Sequence, residues 1–160
     1  MEPPFSLSEK ARETIAKFLG PLLAEECSLS AAIREYRWNV TGPHFHSLHK
    51  LFEDQRRQLE GWLTLLFQRA SGAGVAVRVS DSPQPAPQPP AGGAAAGLAP
   101  RQMIDDLLGR HEQLSRILRE EVRKLADPAT ADLLKKLADF HDTTAWMLRM
   151  LLDSQQSRQR

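Results

Sequence analysis

The chain is 160 residues long, 41% hydrophobic and 26% charged, which fits one globular domain whose core needs no metal or disulfide to hold it. Twenty-one Lys and Arg against 20 Asp and Glu leave a net charge of +1, so no strong electrostatic pull toward nucleic acid or a membrane surface is expected. Cys27 is the one cysteine, which excludes a disulfide framework and zinc-finger spacing.

An unpaired thiol fits a reducing compartment. MEPPFSLSEK has no basic stretch leading into an apolar one, and no apolar run approaches the ~18 residues of a membrane span. The expectation is a cytoplasmic protein with no membrane partner.

Helical periodicity dominates. In the first segment Ala11, Ile15, Phe18, Leu22, Leu29, Ile33 and Tyr36 recur at three- and four-residue steps, and Ser6 with Glu9 forms a capping box at its start. Gly20-Pro21 inside this segment either bends the helix or divides it. Thr41-Gly42-Pro43 ends it, with Pro43 suited to the first position of the next helix. The second segment carries Phe45, Leu48, Phe52, Leu59, Trp62, Leu66 and Ala70 on one stripe.

VRVSDSPQPAPQPPAGGAAAGLAP follows, with proline at 83, 85, 87, 89 and 90, and reads as an extended crossover. A third segment has Ile104, Leu107, Leu114, Leu118, Val122 and Leu125 as its apolar face, and Asp127-Pro128 then caps and starts a fourth, with Leu134, Leu137, Thr144, Leu148 and Leu151. The expected helices run over about 7–39, 44–71, 101–126 and 128–154, with the crossover at about 76–99. At ~1.5 Å per residue a 27-residue helix is ~40 Å long, and ~24 extended residues reach further than that. The fold class is therefore all-α, a four-helix bundle in one domain, whose single long connection lets the second and third helices run parallel, as in ferritin-like bundles.

The chemistry-bearing stretch is REYRWNVTGPHFHSLHKLFED, residues 34–54, with His44, His46 and His49 ahead of Glu53. His49 and Glu53 stand four apart, the spacing at which two side chains on one helical face share a metal ion. At ~100° per residue, positions 49, 53, 60, 64 and 68 fall within ~100° of arc. The core stripe lies to one side of that arc, which leaves it free to meet a symmetry mate.

WNVTGPHF, LHKLFEDQ and, near the C-terminus, HDTTAWMLR resemble the Dps mini-ferritins, the DNA-protection-during-starvation family, in the same order and over about Ile15 to Leu152. The resemblance implies a homo-oligomeric shell of twelve subunits built from two-fold dimers. It also implies iron as the metal handled, oxidised with hydrogen peroxide at a centre between two subunits and stored as a ferric mineral. The intra-bundle alternative, a Glu-x-x-His pair, is absent from the sequence.

Carried over residue by residue, the family's centre falls on Arg37, His49 and Glu53 of one subunit and on Thr64 and Gln68 of the other. His49 and Glu53 keep a ligand type; Arg37, Thr64 and Gln68 stand where ligands are lost. The family's two histidines and three carboxylates carry about −3 and demand cations when buried. Here the same positions sum to zero, so Arg37 is expected to fill the missing ion's space and pair with Glu53. Glu60 and His46 are the candidate substitute ligands, with His44 beside them.

The expected function is thus an iron-storing, stress-protective shell with an impaired ferroxidase centre. The alternatives are a ferroxidase-inactive shell or partner subunit of an active paralogue, and a DNA-compacting, nucleoid-associated particle, for which the tail offers Arg158 and Arg160. Among the remaining residues, His111 and His141 read as hydrogen-bonded structural histidines. Trp38, Trp62 and Trp146 read as packing anchors, Cys27 as a buried inert thiol, and Asp105-Asp106 as first-turn acids of the third helix.

Overall fold

The computed structural model of the protein describes residues 7–76 and 97–157. Its four helices are α1 (Glu9–Asn39), α2 (Phe45–Gly72), α3 (Pro100–Val122) and α4 (Pro128–Ser157). Helix α1 packs on α2, α3 on α4, and the pairs meet through α1 and α3. Two contacts fix the direction of the pairs. Tyr36, late in α1, donates to Asp106 early in α3 at 2.7 Å. Arg69, late in α2, donates to Thr130 at 2.7 Å and pairs with Asp127 beyond α3. The ends of α2 and α3 therefore lie together, and the two helices run parallel. The crossover they require, mostly residues 77–96, lies outside the described residues.

Several local expectations change. Helix α1 runs unbroken through Gly20-Pro21. Interior proline costs ~3 kcal/mol through its lost amide bond and ring clash. Leu19, Leu22 and Leu23 flank it and are all buried, so continuing the helix keeps three core side chains in place. The N-cap is Ser8, whose hydroxyl accepts from the Ala11 amide at 3.2 Å; Ser6, the expected cap, lies outside the described residues. Pro43 sits in the turn rather than opening α2, because Gly42 adopts φ +97° and the Phe45 amide closes back on the Gly42 carbonyl.

Helix α3 ends at Val122, four residues short of the expected Ala126. The Lys124 and Leu125 amides fold back to carbonyls three residues earlier, and Asp127 is freed to accept from the Thr130 amide at 2.9 Å and cap α4. Asp105 and Asp106 lie beyond the first turn of α3, and Asp106 serves Tyr36 and Arg110 instead.

The core is continuous from Ile15 through Leu29, Phe52, Leu66, Leu107 and Leu118 to Leu148. Three polar side chains thread it. His141 Nε2 donates to Glu26 Oε1 at 2.9 Å, and the two Nδ1 atoms of His111 and His141 lie 2.8 Å apart, all three residues at 0% exposure. Trp62 packs on Phe140, whereas Trp38 and Trp146 are 68% and 63% exposed, Trp38 lying against Arg37 and His49 rather than in the core. Phe45, expected on the core stripe, is likewise exposed, and Cys27 is half-buried rather than buried. Burial, then the neighbouring Glu26 charge, pushes the Cys27 thiol up, away from reactivity.

Candidate functional site

The end of α1 and the first half of α2 bring Arg37, His49 and Glu53 together. The turn at 40–44 reverses the chain, and α2's period then sets His49 and Glu53 one turn apart. Arg37 Nε lies 2.9 Å from Glu53 Oε2, with side chains 22% and 17% exposed, so the expected ion pair forms. It is an ion pair rather than a well-directed hydrogen bond, since Arg37 Nε has no aligned acceptor. The Arg37 guanidinium also lies 4.7 Å from the ring centre of Trp38.

Two further arginines, which the sequence reading did not weigh, complete the cluster. Arg56 forks onto Glu53 with Nη2 to Oε1 at 2.9 Å and Nε to Oε2 at 3.1 Å, and also pairs with Glu60. Arg57 Nε donates to Glu53 Oε1 at 3.0 Å. The signal was present in EDQRR: Arg56 and Arg57 stand three and four residues after Glu53, both within reach on a helix. Hydrogen bonds from Arg56, then from Arg57, and the Arg37 charge outweigh desolvation and hold the Glu53 carboxyl down at about 2.

His49 is oriented as a ligand would be. Its Nδ1 lies 3.1 Å from the Arg37 carbonyl, an acceptor, so Nδ1 carries the proton and Nε2 is left bare in the neutral ring. Phe45 and Trp38 hold the ring from two sides, with centroids 5.4 and 6.3 Å away. The other expected residues do not join it as a donor set. Glu60 is engaged by Arg56, Thr64 turns its hydroxyl to the Glu60 carbonyl at 3.0 Å, and Gln68 is exposed. His44 and His46 are exposed at the start of α2, His46 against Phe45. Arg158 and Arg160 lie outside the described residues.

Among the described residues no group of three or more His, Cys, Asp or Glu is arranged to hold a metal ion. The donor chemistry agrees. Both Glu53 oxygens are occupied by guanidinium groups that cannot deprotonate, and their charge repels a divalent cation. The position does not fit iron in this form.

Residues 16–156 match the Ferritin-like domain family. The chain belongs to the Ferritin-like domain family. It is 29% identical over 161 residues to an uncharacterized low temperature-induced protein of Nostoc sp., covering 93% of this chain and 86% of that one. It is 24% identical over 145 residues to the DNA protection during starvation protein of Brevibacillus brevis, covering 89% and 97%. Among solved structures, Dps of Vibrio cholerae, described as a member of a broad superfamily of ferritin-like diiron-carboxylate proteins, superposes with TM-score 0.80 at 21% identity, covering 91% and 93%. Dps92 of Deinococcus radiodurans gives 0.79 at 21% identity, covering 89% and 88%. Among the described residues no helix is long and apolar enough to cross a membrane.

Proposed function

We propose that this chain is the subunit of a homo-oligomeric Dps-type shell that serves iron storage and protection from oxidative stress, with its intersubunit ferroxidase centre impaired. The observation that carries this reading is the three guanidinium groups on Glu53. They supply internally the positive charge that a buried carboxylate would otherwise take from a metal ion. Assembly into copies of itself, twelve in the family's pattern of two-fold dimers, is supported by the exposed Trp38, Phe45 and Leu65 on the α1–α2 side and by Trp146, Met147 and Met150 on α4.

Peroxide-driven Fe(II) oxidation by purified, metal-free protein, read against iron without protein, tests the centre. The natural chain is expected to match the control. A variant carrying Arg37→His, Thr64→Asp and Gln68→Glu is expected to oxidise faster, by at least about ten-fold if the added ligands capture iron. Fast oxidation by the natural chain overturns the reading and moves attention to Glu60, His44 and His46.

A further inference from the structure

We propose that the Arg37–Arg56–Arg57 cluster binds a small oxyanion of the phosphate class. The proposal rests on the reading above, that this inherited position no longer takes cations, and extends it: the preference of the position has changed sign. Three arginines face two carboxylates, Glu53 and Glu60, and the cluster keeps an excess of one positive charge.

The arginine donors are unevenly used. Each guanidinium carries five N–H donors. Arg56 directs three of its nitrogens to Glu53 and Glu60. Arg37 and Arg57 each approach Glu53 through Nε alone, and among the described residues their terminal Nη nitrogens have no hydrogen-bonded partner. Arg37 and Arg57 approach different oxygens of the one Glu53 carboxylate. Spare guanidinium donors around that carboxylate suit a tetrahedral oxyanion, which accepts along several directions at once, better than a spherical halide.

Arg37 and Arg56 side chains are 22% and 23% exposed, which weakens solvent screening at the inner edge, while Arg57, at 69%, lies open to an incoming ion. The charged groups that face the cluster are Glu53 and Glu60 from α2, which oppose the anion. The anion sits on the side of Arg37 and Arg57 away from Glu53, where Coulomb repulsion is least.

The test is isothermal titration of inorganic phosphate into the purified, metal-free full chain at constant ionic strength, with chloride as the reference and short duplex DNA as a second titrant. The expected result is one phosphate per chain, weakened about ten-fold by Arg57→Gln and unchanged by Lys136→Gln, which removes an exposed charge paired with Asp132 on α4. Glu53→Gln is expected to tighten phosphate binding, since it removes the competing anion and releases donors. Three results overturn the proposal: phosphate heats equal to chloride, equal effects of the Arg57 and Lys136 substitutions, or duplex DNA displacing phosphate from the cluster. Iron is absent throughout, so a failure here leaves the peroxide assay to judge the ferroxidase reading on its own.

Discussion

Two polar clusters of the bundle answer opposite conditions. At the α1–α2 edge, Glu53 is ringed by Arg37, Arg56 and Arg57 with solvent close by. In the core, Glu26 meets His141 and then His111 with no solvent at all. The edge tolerates surplus charge because water and spare donors absorb it. The core relies on hydrogen bonds that run from Glu26 through His141 to His111. His141 Nε2 donates to the Glu26 carboxylate, and one of the two facing Nδ1 atoms donates to the other. His111 Nε2 ends the relay, buried and without a partner among the described residues. Burial, reinforced by His141, holds the His111 pKa down at about 3.

Breaking the core relay should have the largest effect. His141→Phe removes the bond to Glu26 Oε1 and strands a carboxylate whose Oε2 has no partner among the described residues. Denaturant unfolding should show a loss of about 3–5 kcal/mol. Glu26→Gln, which carries no charge to strand, should lose less; equal losses would deny that charge burial matters there.

Acid should separate the two clusters next. An unfolded chain binds a proton at His111 near pH 6.5, while the folded chain resists it down to about 3, so stability declines as pH falls through that window. Glu53 adds a second decline: its stabilising contribution is complete above its ordinary 4.5 and disappears as pH falls toward about 2. His111→Phe should flatten the first decline and leave the second. Thermal melts at half-unit pH steps read both.

A smaller gain is available at Gln55, which is buried with neither amide atom bonded among the described residues. Gln55→Leu keeps the volume and removes the unsatisfied amide, and should raise stability by about 1–2 kcal/mol. The smallest effect belongs to the edge: Arg57, 69% exposed, should move the melting midpoint by no more than about 2 °C when changed to Gln. A large drop there would erase the contrast between the clusters.

The Arg37–Glu53 pair was legible because charge counting over five positions leaves one answer: a cation that cannot leave must sit beside the remaining anion. Arg56 and Arg57 were legible in principle from their spacing to Glu53. Glu26 also carried a signal, lying one turn from Leu22 and from Leu29 on a buried stripe, where a carboxylate demands a partner. Its partner was not legible, since His141 lies 115 positions away and only helix packing selects it. The exposure of Trp38, Phe45 and Trp146 went against their apolar character, because periodicity marks a face without saying whether this chain or another copy covers it.

By itself the sequence determined four amphipathic helices, a connection long enough to let the second and third run parallel, and the Dps resemblance, which carries the expectation that Arg37, Thr64 and Gln68 stand at lost ligand positions. These follow from local period and from residue chemistry, which need no third dimension. The tertiary structure decided that α1 continues through Pro21, that Glu53 collects three arginines instead of one, and that Glu26, His141 and His111 share a dry relay. Each of those outcomes is a competition between a local cost and burial, and burial is known only once the helices have chosen their neighbours.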